Sequence, residues 1–346
     1  MPAPSPEFPQ ESQAPGSDYF PSSDLLESSS MATELVGPGG IADGHVRELE
    51  ALHILDPDQV GADAVKRRLG LGFWLASSRV GLVALLALLA PWLPIDNPNK
   101  VSACIKYPVM SSCTVGVSNT FHTLGTDSLG RDVLSRLIWG ARVSLTVGVM
   151  SIIIGLLIGG VIGLAAGFYK GRPESFLMGA MDVLLAFPAL LLTLAIITFS
   201  NNRTIWVISL AIGIVSIAPI ARLVRASTLV VGQREFVLAS RTLGASNRRI
   251  IAREIFPNVV LPVLSFAIIG VAVAITAEGG LAFLGLSVAP PTATWGGMIR
   301  EGFENILDSA SLSVFPSLAI LLVVFSLNML GDGLRDAIDP KLRGGE

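Results

Sequence analysis

A chain of 346 residues in which 51% of the side chains are hydrophobic and only 15% are charged lacks the polar surface to hide its own core from water. Soluble domains carry about 25% charged residues, so this composition and a mean hydropathy of +0.65 exclude an ordinary soluble protein and make the bilayer the main solvent. The net charge of −3 conceals an asymmetry, because residues 1–65 hold 12 acidic residues against one basic one, Arg47.

The acidic leader is rich in Pro, Ser and Gly. It cannot bury enough apolar area to offset its chain entropy, so residues 1–65 are expected to form a disordered tail, with room for a short helix near 48–55. No basic n-region and apolar h-region precede residue 71, so no signal peptide is expected. Six apolar stretches follow, at 76–95, 143–168, 177–199, 204–221, 259–285 and 312–330. Each approaches the length that a hydrocarbon core of about 30 Å requires. Trp92 can anchor the first at the interface. Pro188, Pro219, Pro262 and Pro316 fall inside the spans and point to kinked helices around a cavity.

Between the first two spans lie the only cysteines, Cys104 and Cys113, nine residues apart. The short loop they bracket admits a disulfide or two free thiols. Further on, Thr126, Asp127 and Ser128 offer N-cap chemistry for a helix running through Ser144. Its apolar positions Val133, Leu134, Leu137, Ile138 and Ala141 recur at helical spacing, with Asp132, Ser135 and Arg136 elsewhere on the surface. The segment reads as an amphipathic helix that enters the membrane from outside.

In the second span Gly155, Gly159, Gly163 and Gly167 recur every four residues. A ridge of small residues lets another backbone approach closely, within the bundle or against a second subunit; a substrate path along the groove is the other reading. Two acids sit inside spans, Asp182 near the inner end of the third and Glu278 near the outer end of the fifth. Both depths suit pairing or capping, and ion coupling is the alternative role for a carboxylate in a membrane.

The segment from Arg222 to Pro257 holds 36 residues and seven arginines. Connections this long are uncommon unless functional. It reads as a helix, a break at Gly244 and a second helix, basic but with exposed Phe236, Leu238 and Leu243. Such a surface suits insertion into a partner's groove or attachment to anionic lipid, and the residues alone leave both open. With the N-terminus inside, 17 of the 24 Lys and Arg residues fall on the inner side and 7 outside. The positive-inside rule therefore puts both termini and this loop in the cytoplasm. The five lysines never follow a glycine and the three histidines are scattered, so no phosphate loop or metal cluster is visible. The chain is not expected to be an enzyme by itself.

The loop resembles the Glu-Ala-Ala loop of permease subunits in bacterial ABC importers: Glu-Ala-Ala, three residues, Gly, and a Leu-Pro whose proline lies thirteen positions beyond the Gly. Ala239, Gly244 and Pro257 match; Leu238, Ser240 and Phe256 depart, and Glu235 stands one turn before the missing glutamate. HTLGTDSLGRDVLSRLIWGARVSL (122–145), GGLAFLGLSVAPPTATWGGMIREG (279–302) and NMLGDGLRDAIDPKLRG (328–344) resemble the second permease of the dipeptide/oligopeptide group, to which nickel permeases also belong.

The resemblance spans roughly residues 66–346 and implies an all-α integral membrane fold, with six transmembrane helices and a cytoplasmic coupling loop, of the type I importer architecture. Residues 66–142 would hold the first helix, external loop and amphipathic helix, 143–335 a five-helix core, and 336–346 a cytoplasmic tail. Contact with the ATPase would fall to Leu238, Ala239, Ser240, Arg241, Thr242, Leu243, Gly244, Ala245 and Ser246, with Pro257 opening the fifth span. The implied setting is a bacterial inner membrane, surrounded by lipid. The implied partners are a homologous six-helix permease, two ATP-binding subunits that carry the ATP and Mg, and an extracytoplasmic binding protein. No cofactor on this chain and no nucleic acid are expected. Transport would proceed by alternating access. Peptides are the favoured cargo; nickel, another small solute, or an ion-coupled transporter using Asp182 and Glu278 are the alternatives.

Overall fold

The structure, a computed structural model, describes residues 71–101, 111–115, 118–200, 202–307 and 309–338, all within one unit, Lys66–Gly344. The acidic leader with its short helix, Cys104 and so the question of the Cys104–Cys113 pair, and most of the C-terminal tail lie outside these residues.

Helix α1, Leu71–Leu89, stops six residues short of the expected span because Pro91 and Pro94 cannot continue it. Two antiparallel strands, β1 (Ser111–Val115) and β2 (Ser118–His122), follow, with Cys113 opposite Thr120. This hairpin was not foreseen; its sequence signal is two runs containing β-branched residues on either side of Gly116-Val117.

Helix α2 runs unbroken over Val133–Phe168, 36 residues and so about 54 Å at 1.5 Å per residue. There is thus no separate amphipathic helix, and the cap is Asp132, whose side chain accepts from Ser135 N at 2.7 Å, rather than Thr126–Ser128. Those earlier residues instead form a turn in which Asp127 accepts from Leu129 N and Arg131 N, both at 2.9 Å. Ser135 and Arg136 are buried rather than surface residues.

The third span is broken. Helices α3 (Arg172–Ala186) and α4 (Ala189–Phe199) meet at 85° across Phe187-Pro188. Pro188 forces Phe187 out of the helical region, to ψ 130°, and that ends α3. By contrast Pro219, Pro262 and Pro316 lie within continuous helices.

Helix α5, Ile205–Val231, extends ten residues past its expected end. After a short helix α6, Glu235–Thr242, the chain enters α7, Asn247–Phe283, which opens with a π-helical stretch at Ile250–Ile255. The regular helix within it, Phe256–Phe283, carries Pro257 in its first turn, where the fifth span was expected to open. The wider turn accommodates the proline: Phe256 N–H reaches back five residues to Ile251 O, loosening the ladder where the ring would otherwise clash. Helices α8 (Trp295–Glu304) and α9 (Ser311–Ile338) complete the bundle. Among the described residues five helices are long and apolar enough to span a membrane, or six if the bent α3–α4 pair is one span.

The central contact is α2 against α5. A methyl on Gly159 would lie 2.5 Å from Ile217 O, and one on Gly163 the same distance from Ala221 O. Gly155 faces Ile220 and Ser216, and Gly167 faces Thr228 and Arg225 O. The four glycines therefore meet α5 of the same chain, backbone to backbone. Above this seam Val147, Ile152, Ile208, Ala211, Ile212 and Ala274 form an apolar core; below it Val224, Val231, Ile250, Ile255 and Val259 form a second. Substituting Gly159 by Ala should cost about 1–3 kcal/mol by overpacking, seen as a lower thermal midpoint in detergent. Gly160→Ala, whose methyl would meet nothing within 4 Å, should leave that midpoint unchanged.

Candidate functional site

The loop between α5 and α7 is shorter than its sequence implied, because α5 continues to Val231 and carries Arg222 and Arg225 as helix residues. What remains is α6 and its turn. Glu235 in the first turn and Arg241 in the last both complement the helix dipole. The helix ends in a Schellman closure: Ala245 N donates to Ser240 O at 3.1 Å and Gly244 N to Arg241 O at 3.0 Å. Gly244 takes φ +78°, which a side chain disfavours; no atom lies within 4 Å of where its Cβ would be, so the constraint is conformational and not steric.

Val237 is the buried anchor of α6. It is fully buried among Val224, Val231, Ile250 and Ile255, and Ala245 packs on the same cluster. The Arg241 guanidinium lies 5.5 Å from the ring centroid of Phe168, the last residue of α2, which ties the loop to the glycine-bearing helix as well. On the other side Phe236, Leu238 and Leu243 are exposed, Leu243 at 88%, among the exposed Arg234, Arg241, Arg248, Arg249 and Arg253. The arrangement is an apolar tip ringed by cations on a base held by the core.

The two intramembrane acids are both engaged. Asp182 on α3 pairs with Arg222 on α5 at 2.5 Å, and one turn on, Arg225 Nε donates to Glu174 at 2.9 Å. Glu278 near the outer end of α7 is fully buried and accepts from Ser144 Oγ at 3.0 Å and Ser287 Oγ at 2.7 Å. The same Ser144 accepts from Trp295 N at 3.4 Å, so the carboxyl joins α2, α7 and the segment leading into α8.

A second outer clamp was missed by the sequence reading. Arg131 bonds Asp127 at 2.7 Å and Glu301 at 2.8 Å, and Arg136, also buried, reaches Glu301 at 3.2 Å. Glu301 belongs to α8, so the clamp locks that helix onto the N-terminal end of α2. The signal available was the four-residue spacing of Asp127 and Arg131, which brings that one pair of opposite charges within local reach. Nothing local announced Glu301 as their partner.

Residues 159–344 match the family described as binding-protein-dependent transport system inner membrane component. The glutathione transport system permease protein GsiD of Pectobacterium atrosepticum is 39% identical over 75% of this chain and 85% of that protein. A protein of Brucella suis named for a peptide transport system permease is 39% identical over 77% of this chain and 88% of its own length. A chain of the MetNI methionine ABC transporter in an inward-facing form aligns with a TM-score of 0.48 at 19% identity, over 60% of this chain and 97% of that one. With over half its length matched by the family and close relatives covering three quarters of it, the chain belongs to the binding-protein-dependent transport system inner membrane components and is a permease subunit of an ABC importer.

Proposed function

We propose that this permease forms half of a peptide-conducting pathway. Separate ATPase subunits, which bind the ATP and Mg, would drive it through α6 and its turn, Glu235–Ser246. A homologous permease would complete the pathway, and an external binding protein would deliver cargo to its outer mouth. The observation that carries this reading is the division of α6 into a buried base at Val237 and an apolar, cation-ringed tip at Leu243. Exposed apolar residues at the end of a short helix are poorly placed in water and well placed in a partner's groove. Because Val237 and Arg241 tie that helix to α5, α7 and α2, a pull on the tip is transmitted to the bundle as a rigid displacement.

Three further elements belong to the proposal. The charge distribution supports an inner-membrane orientation with both termini in the cytoplasm. The contact through which the family's glutamate would act is more apolar here, Leu238 being exposed at that position, with Glu235 one turn before it. Peptides are the cargo best supported, since relatives named for glutathione and peptide transport share about two fifths of the aligned residues.

Gly244→Val forces a β-branched residue into left-handed backbone, at a cost of roughly 1–2 kcal/mol concentrated on the coupling turn. We expect uptake by the reconstituted importer to fall at least about tenfold while membrane insertion and subunit yield hold. Gly244→Asn, which tolerates this conformation, should keep most of the activity. Equal activity of all three proteins would reject the assignment of the turn. A mild-detergent pull-down of the permease should also recover two ATPase copies and a second six-helix subunit. Replacing Leu243 by Asp should lose the ATPases and keep the second permease.

A further inference from the structure

The inner halves of α3 and α5 leave between them a cavity of about 620 Å³, within the range of small-ligand sites. Its wall carries two ion pairs of different character. Arg225 bonds Glu174 through two nitrogens, and Glu174 also accepts from Gly171 N, so this pair is held from both sides and largely covered. Arg222 and Asp182 touch through a single nitrogen–oxygen contact, and their side chains are 52% and 61% exposed. Ion pairs exposed to this degree contribute little to stability, so each partner is free to exchange the other for a ligand group.

Depth gives the second argument. Asp182 lies ten residues into α3, about 15 Å from its start beside the Lys170–Gly171 turn. Charges exposed to hydrocarbon at such a depth are costly, and they occur where a helix faces a bundle interior or a water-filled route. The α3 face bearing Asp182 is thus better suited to a bundle interior or a water-filled route than to lipid. Next to it Gly179 has no atom within 4 Å of its Cβ position, leaving the wall flat, and Met178 supplies a pliable apolar surface.

We propose that Asp182 and Arg222 form a transit site for zwitterionic ligands at the inner part of the pathway. Asp182 receives the ligand's ammonium group and Arg222 its carboxylate, through a charge-assisted fork. The Glu174–Arg225 pair stays closed as the fixed wall. Nothing in the pocket reads an interior side chain, so the site suits short peptides with free termini and tolerates variety between them. The inference rests on the peptide-importer reading above.

The test is isothermal titration of the assembled permease–ATPase complex, without binding protein, using trialanine, N-acetyl-trialanine and trialanine amide. Wild type should bind trialanine most tightly and each capped form about tenfold more weakly. Arg222→Gln should erase the preference for trialanine over its amide and keep that over the acetylated form; Asp182→Asn should do the reverse. Arg222→Lys, which retains the charge, should keep both preferences. The site is overturned if wild type binds none of the three, if neither variant changes its preferences, if both variants lose every preference alike, or if either variant fails to assemble. Failure to assemble would make the pair a subunit contact. Uptake of trialanine by the complete importer judges the peptide reading separately, so a complex that transports trialanine without this pattern loses the site alone.

Discussion

The contact on which the remainder of this permease depends is the bare seam between α2 and α5. In a bilayer there is no hydrophobic drive to pull two apolar helices together, since lipid tails are as apolar as the side chains. Close backbone approach has to supply the attraction, and Gly159 and Gly163 permit it by leaving Ile217 O and Ala221 O where any side chain would stand. Two consequences follow from this seam. It sets the height of Arg222 and Arg225 on α5 against α3, and it sets Phe168 at the end of α2, where Arg241 of α6 rests.

The two ends of the bundle are built differently. At the end of the bundle that carries α8, largely buried groups hold that helix in place: Asp127, Arg131 and Arg136 with the partly exposed Glu301 on one side, and Glu278 with Ser144 and Ser287 on the other. Buried charges like these are expensive to separate, since loss of a partner strands a charge away from water. At the other end the Arg222–Asp182 pair is half exposed and weak, and the apolar tip of α6 is exposed. In the function proposed above, that arrangement would supply a stiff rim, a rigid lever, and contacts along the route that open without a large penalty.

Much of this was legible in the residues. Period-four glycines, long apolar runs and an arginine-rich connection each report a local constraint, and local constraints survive reading in one dimension. The features that escaped are those decided by partners distant in sequence. Arg222 looked like a loop residue because a charge ends an apolar run, yet Asp182, 40 positions away, allows it inside a helix. Ser135 and Arg136 looked like a polar face until Asp96 and Glu301 were brought against them. Pro188 was weighed as a kink with three other prolines, and only there does the helix break, because α4 departs at 85° instead of repacking in line. The π-helical stretch at Ile250–Ile255 depends on how the loop meets the fifth span, which no periodicity records.

The claim most open to measurement is that α6 moves with the bundle as one body. Spin labels at Thr242, beside the apolar tip, and at Val230, with Cys104 and Cys113 replaced by serine, would report the distance between the end of α6 and the end of α5 by pulsed electron resonance. In the assembled importer that distance should stay within about 2 Å on passing from the nucleotide-free to the ATP-bound state, since Val237 anchors the tip to the α5–α7 core. A shift of about 5 Å or more, the size of a helical turn, would mean that α6 swings on its own and that the drive enters the bundle by another route.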